Sequence, residues 1–134
     1  MTVVNNSKEH ENYLQSDYLF EKAEQLIFAH DFTGAINLLK QSISLNKNFS
    51  FAYVALSKIL FKLNRTSDAI KTLEACTSSD PSFAYPWYLI AKYLHSDGKK
   101  SEALKALKRA TDIDHKNRLY SRALNVIGTY KNRP

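Results

Sequence analysis

The chain is poor in three residue types that would point away from a helical protein. It has three glycines, three prolines and a single cysteine, Cys76, among 134 residues. A sandwich or barrel of short strands needs many tight turns, so this scarcity favours helices. One cysteine cannot form an internal disulfide, which favours a reducing compartment, and we expect a cytoplasmic protein.

Membrane and export segments are also missing from the sequence. No apolar run approaches the roughly 20 residues that a membrane-spanning helix needs, so we expect no membrane partner. Residues 1–15 are polar and lack the basic start and apolar centre of a signal peptide. They show no clear periodicity, and we expect them to form a flexible N-terminal segment.

Catalytic and metal-binding patterns are absent too. The four histidines are scattered, with no cysteine or carboxylate at the spacing of metal ligands. There is no nucleophile–base pair, no glycine-rich phosphate loop and no cleft of paired carboxylates. The sequence therefore predicts no enzyme, no cofactor and no metal site, and Cys76 is interpreted as a small core residue.

What the chain does contain is a pattern that recurs every 34 residues. A short polar turn leads to an alanine, with a leucine four residues after it: Ala35 and Leu39, Ala69 and Leu73, Ala103 and Leu107. A fixed period in this range indicates stacked repeats of one supersecondary unit. The flanking apolar residues recur at helical spacing, and they predict an all-α chain of helix pairs over 16–49, 50–83 and 84–117, closed by a helix over 118–130. The first helix is expected at 17–29.

This pattern resembles the tetratricopeptide repeat (TPR). Its helix A is matched by Leu19, Tyr53 and Trp87 and by Leu26, Leu60 and Leu94, and its helix B by Ser42, Cys76 and Ala110. The chain departs from the family pattern at Lys22 and at Asn125 in the last helix. The closing proline of the repeat is present only once, as Pro81. The resemblance implies a right-handed α-solenoid of three TPR helix pairs with a capping helix, over residues 16–134, whose A helices line a concave binding face.

The resemblance also implies which side chains face that groove. The candidate peptide-binding residues are Phe20, Glu24, Phe51, Val54, Lys58, Phe61, Lys62, Tyr85, Tyr88, Lys92, His95 and Arg122. Some TPR proteins clamp acidic chaperone tails with basic and amide side chains. Those places hold Phe20, Glu24, Ala55, Tyr85 and Leu89 here, so that clamp is not expected.

An aromatic groove edged with lysines suits an amphipathic helix or an extended peptide with apolar anchors. We therefore expect a protein-interaction module, acting as an adaptor, a chaperone or an assembly subunit. Two alternatives for what covers the groove stay open, namely residues 1–15 of the same chain and a second copy of the chain. Assembly into a larger complex also stays open.

A second hypothesis rests on charge. Residues 1–49 hold four basic and six acidic side chains. By contrast, residues 84–117, which include Lys99 and Arg109, hold seven basic and four acidic ones, and residues 118–134 hold four basic side chains and no acidic one. This basic C-terminal surface could dock an acidic protein or nucleic acid, as a scaffold would. Nucleic acid is the less favoured partner, because no aromatic residues interleave with the charges to stack bases.

Overall fold

Seven helices make up the described chain, and they follow one another without a strand. The computed structural model describes residues 2–131, with side chains described over 7–128. The helices are α1 (Thr2–Phe28), α2 (Phe32–Leu45), α3 (Ser50–Lys62), α4 (Thr66–Ser79), α5 (Ala84–Ser96), α6 (Lys100–Ile113) and α7 (Arg118–Lys131). The predicted all-α class is confirmed.

The helices pack in pairs, and each pair contacts the next one along the chain. The most extensive contacts join α1 to α2, α3 to α4 and α5 to α6, while α2–α3, α4–α5 and α6–α7 contacts connect successive layers. This near-neighbour packing is that of an α-solenoid. None of the helices within residues 2–131 is both long enough and apolar enough to cross a membrane.

Small residues at the repeating positions let the paired helices approach closely. Ala35, Ala69 and Ala103 have no exposed surface, and the leucines four residues later are buried beside them. A larger side chain at such a place would have to push two helices apart. The 34-residue pattern therefore forms the centre of the stack.

Each helix pair turns through one residue with a left-handed backbone. The φ angles are 62° at His30, 63° at Asn64 and 79° at Gly98, which are successive positions of the repeat. In each case the backbone N–H of the following residue donates a hydrogen bond to a carbonyl near the end of the preceding helix, as that of Lys99 does to the Leu94 carbonyl at 2.9 Å. This closure satisfies carbonyls that a helix end leaves open. The prediction that Gly98 forms a left-handed cap is confirmed.

The first helix is longer than predicted. We expected a start at residue 17 after a flexible segment, but α1 begins at Thr2. No glycine or proline interrupts residues 2–15, so the hydrogen-bonded turns continue past the part that α2 covers. Because residues 2–15 extend the same helix, they do not fold back over the groove of their own chain.

Candidate functional site

An open cleft of about 440 Å³ lies between α1 and α3. Six predicted groove residues line it: Phe20, Glu24, Phe51, Val54, Lys58 and Lys62. We call this site the α1–α3 cleft. The helices α1 and α3 are the first helices of successive pairs, so the 34-residue repeat places these side chains on adjacent walls.

The floor of the α1–α3 cleft is apolar. Ile27, Ala55 and Ile59 complete it, and Phe20 packs against Phe49 with 4.9 Å between the ring centroids. Phe51 stands at the edge and leaves 62% of its surface exposed. Apolar surface left in water is unfavourable, so the cleft offers binding energy to a side chain that covers it.

Two lysines on α3 set the charge of this site. The Nζ of Lys58 lies 5.1 Å from the centroid of the Tyr85 ring, and the Nζ of Lys62 lies 5.1 Å from that of Phe32. The ion pairs found in the described chain, Arg65–Asp68 and Lys99–Asp97, involve neither lysine. Aromatic faces orient these ammonium groups without neutralising them.

Glu24 supplies the opposite charge from the α1 wall, where it is exposed. The cleft is thus acidic on one side and basic on the other. A ligand carrying both charges would be attracted in only one orientation.

The tyrosines predicted for the groove pack against one another beyond the cleft. Tyr85 and Tyr88 stack with centroids 6.2 Å apart, and Tyr88 stacks on Tyr120 of α7 at 5.1 Å. Burial raises the pKa of Tyr120, and the Asp114 carboxylate adds to the effect. Tyr88 therefore helps to join α5 to the last helix.

Phe61 also packs internally. Its ring stacks on Tyr93 at 4.1 Å with 12° between the planes, and it does not line the α1–α3 cleft. Tyr93 itself is buried. Burial raises the pKa of Tyr93 to about 12, against the effect of a hydrogen bond with Ser57. The other predicted residues, Lys92, His95 and Arg122, are exposed on α5 and α7 outside the cleft.

The structure adds groove residues that the sequence prediction omitted. Phe32, at the start of α2, lines the α1–α3 cleft, although it belongs to a second helix of a pair. Leu119 and Val126 are exposed on α7, at the positions 34 residues after Tyr85 and Lys92. The repeat period alone identifies the latter two as an extension of the same face.

The single cysteine and the four histidines all lie in the described part of the chain. Cys76 is buried, its Sγ lies 3.8 Å from the Ser50 carbonyl oxygen, and burial raises its pKa. Across residues 2–131, no group of three or more histidine, cysteine or carboxylate side chains could hold a metal ion.

The basic C-terminal surface is partly engaged within the fold. Lys99 pairs with Asp97 at 3.8 Å, and the Arg109 guanidinium lies 4.9 Å from the centroid of the Trp87 ring. Arg122 is exposed on α7. The side chain of Lys131 and all of Arg133 lie outside the described residues.

Solved structures of other proteins share this arrangement of helices. The first TPR domain of Spaghetti (RPAP3), bound to the HSP90 peptide SRMEEVD, superimposes with a TM-score of 0.81 at 14% identity, over 90% of this chain and 96% of that one. The Yersinia enterocolitica type III secretion chaperone SycD, in complex with a peptide of the translocator YopD, gives 0.78 at 16% identity, over 87% and 94%.

A longer protein is similar as well. The structure of MamA from residue 41 to its end, from Desulfovibrio magneticus, gives a TM-score of 0.74 at 21% identity, and the match covers 87% of this chain but 66% of that one. At these identities the similarity shows the fold alone. No curated protein matches the sequence.

Family models complete the comparison. Two models described as tetratricopeptide repeat match the sequence, one over residues 26–93 and the other over residues 84–117. The matched stretches contain α2 to α6 in full and the last three residues of α1, and they end before α7. The chain belongs to the tetratricopeptide repeat family.

Proposed function

We propose that the chain is a non-enzymatic protein-interaction module that binds a peptide or an amphipathic helix in the α1–α3 cleft. The observation that carries this proposal is an apolar cleft edged by two lysines that have no carboxylate partner in the described chain. Peptide-binding proteins use such sites to combine one apolar anchor with charge selection. An adaptor, a chaperone or an assembly subunit in the cytoplasm would use the site in this way.

The charges define the ligand further. One bulky apolar side chain would cover Phe20, Val54 and Ile59, and an acidic residue beside it would meet Lys58 and Lys62. A basic residue on the other side of the anchor would meet Glu24. The preferred ligand is therefore a short helix or strand with acidic and basic residues on opposite sides of a leucine or phenylalanine.

The relatives support a peptide ligand without defining it. The RPAP3 structure holds an HSP90 peptide, and SycD holds a peptide of YopD. The positions that clamp acidic chaperone tails in the family hold apolar residues and one glutamate here. We therefore propose a ligand bound mainly through its apolar anchor, in a mode different from that clamp.

Binding of defined peptides tests the proposal. The probe is a fluorescein-labelled helical peptide with one leucine anchor and two glutamates, compared with versions carrying serine for leucine or lysine for glutamate. We expect fluorescence anisotropy to detect binding of the first peptide, and at least about tenfold weaker binding of each altered one.

Matched variants locate the binding site. The double change Lys58→Glu and Lys62→Glu should weaken binding of the glutamate peptide at least about tenfold. The control is Lys40→Glu with Lys71→Glu, which makes the same charge change at exposed lysines of α2 and α4. If the double lysine variant binds the peptide as the wild type does, while Arg122→Glu loses binding, the peptide binds at the basic C-terminal surface and not in the cleft.

A further inference from the structure

One face of α1 has no partner within the described chain. It consists of Glu11, Leu14, Tyr18, Lys22 and Gln25, which recur every three or four residues and are all exposed. We call this stripe the open α1 face. Leu14 leaves 56% and Tyr18 52% of its surface in solvent.

Later repeats show what this face normally does. The positions 34, 68 and 102 residues after Tyr18 are Ala52, Pro86 and Tyr120, and all three are buried. In α3, α5 and α7 this position is therefore covered, as expected where a helix packs on the preceding pair, but α1 has no preceding pair among the described residues. The open α1 face is thus a stacking surface left uncovered.

The length of α1 leaves more of this face exposed. Ser16 and Ser42 exchange hydrogen bonds of 2.8 Å, which fixes the register between α1 and α2. Helix α2 ends at Leu45, three residues after Ser42. In an antiparallel pair α2 therefore covers α1 only back to about residue 13, at about 1.5 Å per residue. An isolated helical extension of this length is marginal in water, so contact with another helix would stabilise it.

The charges on the open α1 face are self-complementary. If two copies of α1 pack antiparallel about a twofold axis near Ser16, Leu14 of one copy lies opposite Tyr18 of the other. The same register places Glu11 opposite Lys22. Twofold symmetry forms both pairs twice. Lys22 already lies over its own Tyr18 ring, with Nζ 5.4 Å from the centroid, so its charge is held above the apolar centre.

A lysine at position 22, where later repeats have an apolar residue, fits this arrangement. The positions 34 and 68 residues later hold Leu56 and Ile90, both buried beneath neighbouring helices. A lysine in that place disfavours stacking of an ordinary apolar helix, because its ammonium would be desolvated without a partner. A helix that presents a glutamate opposite this lysine resolves the conflict, and Glu11 of a second copy does so.

We propose that the open α1 face is a homodimer interface, formed by antiparallel pairing of α1 with α1 of a second copy. Leu14 and Tyr18 form its apolar centre, and reciprocal Glu11–Lys22 ion pairs select the register. The contact spans only a few helical turns, so the dimer is of the weak, concentration-dependent class. The α1–α3 cleft lies on another side of α1, and dimerisation leaves it accessible.

Charge reversal tests the register. Sedimentation velocity of the full chain over a wide concentration range should show the 15.3 kDa monomer in equilibrium with a dimer. Glu11→Lys and Lys22→Glu should each weaken dimerisation at least about tenfold, because each change creates two like-charge contacts. Mixing the two variants should restore a dimer, since both contacts then pair opposite charges.

Two controls keep the result interpretable. Glu74→Lys and Lys40→Glu make the same charge changes on exposed residues of α4 and α2, and both should dimerise as the wild type does. Circular dichroism confirms that each variant is folded. A wild type that stays monomeric throughout would overturn the proposal, and so would dimerisation that persists in both single variants or fails to return on mixing.

Discussion

The serine pair Ser16–Ser42 gives the sharpest test of how the repeats are packed. Each hydroxyl donates to the backbone carbonyl of the other residue at 2.8 Å, and the two oxygens also lie 2.8 Å apart. Both side chains are fully buried. The equivalent places in the third pair of helices hold Ala84 and Ala110. The chain therefore contains its own example of the same crossing without hydroxyl groups.

Replacing one serine by alanine removes the hydrogen bond that its hydroxyl donates, because the single proton of each hydroxyl is donated to a carbonyl. It leaves no carbonyl without a partner, since the Ser42 carbonyl still accepts from the Asn46 N–H at 3.0 Å. Each of Ser16→Ala and Ser42→Ala should lower the free energy of unfolding by about 1 kcal/mol. The double variant should lose about the sum of the two single losses, about 2 kcal/mol, because each alanine removes one donated hydrogen bond.

Urea unfolding followed by circular dichroism measures these values. With a slope of about 1–3 kcal/mol per molar urea, a loss of 1 kcal/mol lowers the midpoint by roughly 0.3–1 M. A double-mutant cycle then gives the coupling. A double variant that loses clearly less than the sum would refute the reasoning, because it would mean that the two hydroxyls share one hydrogen bond instead of donating one each. A double variant that fails to fold would refute it as well, because Ala84 and Ala110 show that two alanines fit this crossing.

Other consequences of the structure are equally direct. A left-handed backbone disfavours a Cβ, so Asn64→Gly and His30→Gly should each stabilise the chain by up to about 1 kcal/mol. For the same reason Gly98→Ala should destabilise it by about 1–2 kcal/mol, and thermal melts of the three variants measure these changes in stability. Ala69→Leu should cost about 1–3 kcal/mol through overpacking, measured by urea unfolding. Burial holds the pKa of Tyr93 at about 12 against an ordinary value of 10.0, so its contribution to stability is full below pH 10 and is lost as the pH rises towards 12. The free energy of unfolding, measured by melts across that range, should fall by up to about 3 kcal/mol, and Tyr93→Phe should remove that part of the fall.

The sequence predicted the stack because the stack depends on a local rule. An alanine or a leucine at a fixed place in each repeat is buried wherever two helices cross, so Ala69 and Leu73 identify their own environment. Gly98 likewise predicts a left-handed turn. His30 and Asn64 occupy the same turn without glycine, and only the 34-residue period connects them to it.

The start of α1 could not be predicted from periodicity. Residues 7–15 are almost entirely exposed, so they carry no buried stripe for a helical period to reveal. Their helical state follows from continuation of α1 and from the absence of glycine and proline.

The candidate groove was predicted only in part, because position in a repeat does not determine what a side chain touches. Phe51 and Val54 line the α1–α3 cleft, whereas Phe61 and Tyr88 occupy predicted groove positions but stack on Tyr93 and Tyr120. Such aromatic stacking depends on side-chain rotamers and on residues of other helices. Leu119 and Val126, by contrast, follow from the period without further information.

Peptide binding to the cleft is the central claim, and an exchange of charge between peptide and protein tests it most directly. The measurement is the affinity of the glutamate and lysine peptides for the wild type and for the chain with Lys58→Glu and Lys62→Glu. We predict that the wild type prefers the glutamate peptide and that the variant prefers the lysine peptide, because the two lysines lie at the edge of the apolar floor on which the peptide is proposed to bind. An unchanged preference in the variant would contradict the claim.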